Sequence, residues 1–267
     1  MCGVALALAS CSAPVPEPRQ SDTPTFVSLN PCLDAILVEV AAPEQILALS
    51  HYSRDPAASS MDVARASEFG VTGGTAEEVF ALKPDVVLAS SFIDPATRAA
   101  LERADLRVET FGSPASVEES LAQVRGVAAL AGRAEAGERL ANRIASNPAQ
   151  PEGTVGSALL WQPGQIVAGE ASLVAEHLRW AGFTNYAAER GMGQADHVTL
   201  EDILVDQPDL LLVAGDSAGQ QHPALQGAFF GMEIASFEPQ LFYCGGPSIM
   251  RARKRLSELR ERVERRP

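Results

Sequence analysis

Basic residues are scarce: 21 Lys and Arg stand against 34 Asp and Glu, a formal charge of −13 over 267 residues. Such a surface repels a phosphate backbone, which excludes nucleic acid as the principal partner and suits an anionic membrane no better. No apolar run approaches the ~20 residues that a membrane-spanning helix needs. Catalytic signatures are missing too: there is no GxSxG elbow, no GxxxxGK[ST] loop, no GxGxxG after a strand and no HExxH. The histidines at 51, 177, 197 and 222 show no metal-ligand spacing. Nothing in the residues argues for an enzyme. What is present is ordinary globular material, 46% hydrophobic and 21% charged, enough for one large domain or two lobes with buried cores.

The first nine residues are mostly apolar, Ser10-Cys11 follows, and a Pro-rich stretch begins at Ser12. About ten residues cannot span a bilayer but suit the apolar region of an export signal. Leu8-Ala9-Ser10-Cys11 resembles the lipobox of bacterial lipoproteins. That resemblance implies a signal segment over 1–11, acylation of Cys11, a tether over 12–24, and membrane contact only through a lipid anchor. Export would place the body in an oxidising compartment, where Cys32 and Cys244 need an account. Lying near opposite ends of the chain, they read as a disulfide joining the first and last elements, as two buried thiols, or as a thiolate pair for a metal ion. No CxxC or HxxxH spacing supports the last.

An internal repeat organises the body. Thr75-Ala76-Glu77-Glu78 through Leu82-Lys83-Pro84-Asp85-Val86-Val87-Leu88 matches Thr199-Leu200-Glu201-Asp202 through Asp206-Gln207-Pro208-Asp209-Leu210-Leu211-Leu212 at a constant offset. In each copy Thr can cap a helix with acids in its first turn, Pro-Asp stops the helix, and an aliphatic run supplies a buried strand. Further strands are expected at Phe26–Leu29, Ile46–Ser50, Arg107–Thr110, Ala158–Trp161 and Leu241–Tyr243, alternating with helices. The alternation predicts an α/β fold of two Rossmann-like lobes with parallel sheets, over 25–115 and 147–267. Between them, 116–146 reads as one stiff connecting helix of about 45 Å. A break near Gly132 or Gly137 is the alternative. The basic tail, Arg251–Arg266, reads as the solvated face of a terminal helix.

These pieces resemble the substrate-binding proteins of ABC importers with a helical backbone, the class III periplasmic binding proteins that carry cobalamin, haem or ferric siderophores. The resemblance rests on Ser28-Leu29-Asn30-Pro31, the Ala81–Leu88 segment, the central helix, Val167-Ala168-Gly169, and Gly246-Pro247 before the last helix. The cobalamin branch is most similar, through the order of Val27–Asn30 and Ile46–Ser53, with Tyr52 where that branch stacks on the corrin. The resemblance implies a non-enzymatic monomer outside the cytoplasm, with no covalent cofactor. It would hold a corrinoid between its lobes, with haem or a ferric siderophore as alternatives, and deliver it to a permease dimer with its ATPase subunits. A metal-ion-binding protein using Cys32 and Cys244, with Met61 and His51, is a further alternative.

In open α/β sheets ligands bind beyond the carboxyl ends of the strands. That rule nominates Asn30, Pro31, Cys32, His51, Tyr52, Met61 and Phe92 on the first lobe, and Trp161, Tyr243 and Cys244 on the second. The resemblance adds Glu77 and Glu201, one on each lobe, as partners for permease arginines. The aromatic that this branch often carries before the first repeat helix is replaced here by Phe69-Gly70-Val71-Thr72-Gly73-Gly74, and 192–197 has no tryptophan.

Overall fold

Two separate aliphatic layers form because strand residues alternate between faces. The computed structural model describes residues 23–146, 149–217, 219–226 and 231–266. The expected signal segment with Cys11, and most of the tether, lie outside the described residues. The first lobe contains β1 (Phe26–Ser28), α1 (Pro31–Val40), β2 (Ile46–Ser50), α2 (Val63–Ala66), β3 (Val71–Thr72), α3 (Ala76–Leu82), β4 (Val86–Ser90), α4 (Pro95–Arg103) and β5 (Arg107–Phe111). Its strands are parallel in the order β3-β2-β1-β4-β5. Phe26, Leu49, Val86 and Leu88 face α1, whereas Val27, Ala48 and Val87 face α3 and α4 with Val79 and Leu101.

The segment 116–146 is two helices, α5 (Val117–Leu130) and α6 (Ala134–Ser146), and not the single helix expected. Gly132 sits at φ 67°, where the Arg133 N–H reaches back to the Ala128 carbonyl at 2.8 Å and the Gly132 N–H to Ala129 at 3.0 Å. This left-handed glycine cap ends α5 and folds α6 back on it. The pair packs closely enough that a Cβ on Gly137 would lie 2.5 Å from the Ala128 Cβ, and Arg125 pairs with Glu138 across it. Val124, Val127, Leu140 and Ile144 join the layer over α1, so the hairpin belongs to the first lobe's core.

The second lobe contains β6 (Gly156–Trp161), β7 (Ile166–Val167), α7 (Leu173–Trp180), β8 (Phe183–Asn185), α8 (Tyr186–Glu189), β9 (Asp196–His197), α9 (Leu200–Val205), β10 (Leu210–Val213), α10 (Pro223–Gln226), β11 (Glu233–Ser236), α11 (Gln240–Tyr243) and α12 (Ser248–Glu264). Its sheet runs β11-β10-β6-β7-β9, with β8 also pairing β6. The β11-β10-β6-β8 pairings are parallel as expected, but β7 is antiparallel to both β6 and β9. Pro163-Gly164 causes the reversal, with Gly164 at φ 74° and the Gln162 N–H closing on the Ile166 carbonyl at 2.9 Å. Leu241–Tyr243, expected as a strand, is helical. Pro239 already has helical angles, φ −52° and ψ −41°, and launches α11.

The repeat is realised in detail. Thr75 and Thr199 cap α3 and α9, accepting the Glu78 and Asp202 N–H groups at 3.3 and 3.1 Å. The Pro-Asp carboxylates do more than follow a helix stop. Asp85 accepts the Thr25 N–H and hydroxyl at 2.7 Å each, and Asp209 accepts those of Ser157 at 2.7 and 3.0 Å. Each aspartate thereby ties the entrance of its repeat strand to that of the neighbouring strand.

The lobes meet where α1 and α5 begin. Cys32, in the first turn of α1, is disulfide-bonded to Cys244, which follows α11, with Cα atoms 5.2 Å apart. Beside it Gly246 donates its N–H to Ser120 Oγ at 2.6 Å. Added Cβ atoms at Gly245 and Gly246 would come within 2.4 Å of Ser120 and 2.7 Å of Ile36, so only glycine allows this approach. Arg253 reaches the Ile144 carbonyl at 3.1 Å, and Glu176 accepts the Val117 N–H at 2.6 Å. Ile249 of α12 is buried in the first lobe's core.

Replacing both Cys32 and Cys244 by Ser should lower the unfolding free energy by about 2–5 kcal/mol, read by urea denaturation, because the bridge closes a loop across most of the chain. An unchanged midpoint would show that the noncovalent seam suffices. Gly132→Ala should cost about 1–2 kcal/mol in the same assay, since a Cβ resists the left-handed conformation.

Candidate functional site

β1, β2 and β4 are adjacent and parallel, so the segments that follow them share one edge of the first sheet. Asn30 follows β1 and caps α1, its side-chain oxygen accepting the Cys32 and Leu33 N–H groups at 2.9 and 3.1 Å. Pro31 opens the helix, where its missing N–H costs nothing. The helix therefore starts at Pro31, and its N-terminus stands at the strand ends.

β2 ends at Ser50, whose Oγ accepts the Tyr52 N–H at 3.3 Å and starts a tight turn over 51–54. The turn presents His51 and Tyr52, ring centroids 4.0 Å apart and planes tilted by 35°. Tyr52 is 50% exposed. The Nδ1 of His51 lies 3.3 Å from the Thr72 carbonyl. β4 lies two strands from β2, about 10 Å away, and is followed by Phe92, which is 81% exposed. From the second lobe Tyr243, 39% exposed, brings its hydroxyl to 3.4 Å from the Ala58 carbonyl. Burial, reinforced by the charge of Asp55, holds the Tyr243 phenol above its usual range. Asp55 in turn donates its N–H to the Tyr52 carbonyl at 3.1 Å. Tyr243 and the Tyr52 turn thus stand against one short loop, next to the disulfide.

Other nominated residues fall elsewhere. Trp161 is only 1% exposed, its Nε1 donating to the Val198 carbonyl at 2.9 Å, among Leu159, Leu211, Tyr186 and Ile203. It is a core residue with no face to offer a ligand. Met61 is half-buried against the first core. It lines a separate cavity of about 630 Å³ between α1, residues 56–65 and the α11–α12 junction. Cys32 and Cys244 spend both sulfurs on their bond, so the thiolate pair required by the metal-ion alternative is not there, and that alternative falls. Among the described residues no group of three or more His, Cys, Asp or Glu could hold a metal. His177 is buried, and its pKa is pushed down to about 3 by burial and then by Arg253, so it is a neutral core imidazole. Glu77 and Glu201 are each the second residue of their repeat helix, exposed and unpaired among the described residues.

Two buried residues near the rim were not nominated. Asp34 of α1 is fully buried, with Oδ2 accepting the Ser50 N–H at 2.9 Å and the Ser53 hydroxyl at 2.6 Å. Gln240 of α11 donates to the Pro56 carbonyl at 3.3 Å, across the seam. A lone acid inside Leu33-Asp34-Ala35-Ile36-Leu37-Val38 was the available signal for the first. Nothing local marked the second.

This is a recognition surface in form: aromatic faces at the ends of parallel strands with polar groups around them. Residues 26–227 match the family described as periplasmic binding protein. No curated protein matches by sequence. Solved structures do match in fold. The apo periplasmic haem-binding protein RhuT of Roseiflexus sp. RS-1 has a TM-score of 0.67 at 20% identity, covering 90% of this chain and 98% of that one. The periplasmic vitamin B12-binding protein BtuF of Vibrio cholerae has a TM-score of 0.64 at 17% identity, covering 91% and 99%. The periplasmic haem-binding protein HutB of Vibrio cholerae has a TM-score of 0.69 at 17% identity, covering 88% and 98%. With the family match spanning most of the sequence and its two α/β lobes in place, the chain belongs to the periplasmic binding protein family, whose members are non-enzymatic transport components.

Proposed function

We propose that this chain is the solute-binding component of an ABC importer and that it captures a planar tetrapyrrole metal chelate, a corrinoid of the vitamin B12 type, at the strand ends between its lobes. The observation that carries this reading is the exposure of Tyr52, Phe92 and Tyr243 around the rim. Exposed aromatic rings cost free energy in water and regain it when stacked on an apolar macrocycle. Asn30, Ser90 and Ser91 supply neutral hydrogen-bonding groups beside them. A corrinoid brings its own axial ligands and asks for this kind of surface. The similarity to vitamin B12- and haem-binding structures supports the ligand class.

Haem is the second reading, and His51 is what favours it. If its Nδ1 donates to Thr72, the Nε2 is left as a lone pair beside the Tyr52 ring, and both side chains are iron ligands by chemistry.

Delivery would use Glu77 and Glu201 as paired contacts for the permease dimer. Their equivalence under the repeat matches a two-fold symmetric partner, and exposed Phe80 and Val205 lie one turn along the same helices. The binding protein would act as a monomer outside the cytoplasm, anchored through lipid on Cys11.

Calorimetric titration of the purified protein with cyanocobalamin, cobinamide and haem should give one-to-one corrinoid binding at micromolar affinity or better. Tyr52→Ala should weaken it about tenfold or more. Haem binding with silence from both corrinoids would move the ligand to the second reading, and silence from all three would overturn the class. Reversing both acids, Glu77→Lys with Glu201→Lys, should leave the titration unchanged while abolishing uptake in cells that express the cognate permease; full uptake would reject the docking role.

A further inference from the structure

We infer that Asp34 is the positioning residue of the cleft: its buried carboxylate holds the turn that presents His51 and Tyr52, and ligand affinity falls when that carboxylate is neutralised. The role assigned to Tyr52 rests on the ligand reading above; the brace itself rests on geometry alone.

Asp34 closes the first turn of α1, and its side chain crosses to the end of β2. Oδ2 accepts two donors, the Ser50 N–H at 2.9 Å and the Ser53 hydroxyl at 2.6 Å. Ser50 is the residue whose own hydroxyl caps the Tyr52 turn, and Ser53 lies within that turn, so one oxygen fixes both ends of the segment carrying the exposed rings. Oδ1 is buried with no hydrogen-bond partner among the described residues, because the nearby Ser28 hydroxyl turns to the Asn30 carbonyl at 3.4 Å. An aliphatic or amide side chain would be cheaper to bury here, and a carboxylate with one oxygen orphaned is a costly choice for structure alone.

Burial dominates the electrostatics and pushes the Asp34 pKa up to about 7, against the opposing pull of the nearby Ser28 hydroxyl and the hydrogen bonds from Ser53 and Ser50. No charged group is among the causes. The elements against α1 do carry charges. His51 stands against the Thr72 carbonyl, and Arg54 donates to the Phe69 carbonyl at 2.6 Å. On α5 and α6, Arg125 pairs with Glu138, Arg139 with Glu135, and Arg143 with Glu39 of α1 itself. Glu119 accepts the Ala115 N–H at 2.8 Å, and Glu118 and Arg133 are exposed.

The ionised group makes charge-assisted bonds to Ser50 and Ser53, roughly twice as strong as those of the neutral acid. Above pH 7 the turn is held hardest; below it the hold relaxes. Stability runs the other way. The folded protein keeps this proton to a higher pH than the unfolded chain, whose carboxyl titrates near 4, so Asp34's own contribution to stability is fully present below about pH 4 and is lost as pH rises to about 7. Asp34 thus trades stability for a firmly held aromatic turn.

The Ser50 amide reports directly on the brace. In the ligand-free protein its nitrogen–proton resonance should move with a midpoint near pH 7 and stay still in Asp34→Asn, which keeps the shape without the titration. A midpoint below pH 5, or the same movement in the variant, would overturn the brace whether or not any tetrapyrrole binds. In parallel, calorimetry with cyanocobalamin and haem at pH 8 and pH 6 should show wild-type affinity about fivefold weaker at the lower pH, and Asp34→Asn flat between them. In the cyanocobalamin titration, where His51 is not asked to ligate, His51→Gln should retain the wild-type pH dependence; its loss there, with persistence in Asp34→Asn, would assign the effect to the imidazole and reject Asp34. If neither ligand binds wild type at either pH, the ligand reading fails while the resonance still decides the brace.

Discussion

The seam between α1 and the α11–α12 junction is the constraint on which the rest of the molecule depends. Each sheet has helices on both faces and its own aliphatic layers, and few apolar residues of the second lobe, Leu173 and Ile249 among them, enter the first lobe's core. That relation is fixed at a few points: the Cys32–Cys244 bond, the glycine pair against Ser120 and Ile36, and Arg253 on the end of α6. Interfaces between domains of one chain ordinarily permit relative motion. Here a covalent bond stands in the seam and Ile249 is sunk into the opposite core, worth about 1.5–3 kcal/mol by burial. The α5–α6 hairpin is absorbed into the first lobe, so rigidity between lobes comes from this seam and not from a connecting rod.

Seen this way, the rim aromatics and the seam are one construction. Cys32 and Asp34 are two residues apart on α1, Cys244 follows Tyr243, and Tyr243 leans on the loop that continues from Tyr52. The second lobe is therefore bonded to the same short helix whose carboxylate fixes the Tyr52 turn. Binding of a rigid macrocycle gains from such preorganisation, because the entropy of ordering the rings is lost at folding and not at binding. The most strongly displaced ionisable groups, Asp34 and His177, are both buried, and desolvation is the main cause in each.

Much of this was legible in the sequence because it is written in local chemistry. The repeat found Thr75 and Thr199 as caps and Val86–Ala89 and Leu210–Ala214 as buried strands, each within a residue of the strand observed, since capping and aliphatic runs act over a few residues. Long-range relations were harder. The hairpin turned on the choice between Gly132 as a helix interruption and Gly132 as a cap, which the Ala128 carbonyl decides. Trp161 sits at a strand end and reads as a rim aromatic, but pleat alternation turns it inward toward Tyr186 and Ile203. Leu241–Tyr243 has the apolar content of a strand, and the backbone of Pro239 makes it a helix. Asp34 lies in an apolar helical run that Asn30, four residues earlier, caps, and nothing local marked its carboxylate as reaching the end of β2.

The two aspartate devices separate what fold and function demand. Asp85 and Asp209 each satisfy a neighbouring backbone N–H and hydroxyl at a strand entrance, partly open to solvent, and they occur in both lobes because both sheets need their first strand pair tied. Asp34 makes the same two kinds of bond, one to a backbone N–H and one to a hydroxyl, but at a strand exit and fully buried. In the second lobe the exits of β6 and β10, the counterparts of β1 and β4, are closed by neutral Gln220, which donates to the Trp161 and Ala214 carbonyls at 3.0 and 2.7 Å. A neutral amide is thus sufficient to close a strand end in this fold. The charge is kept at the one exit that carries His51 and Tyr52, where the stiffness of the turn bears on the ligand.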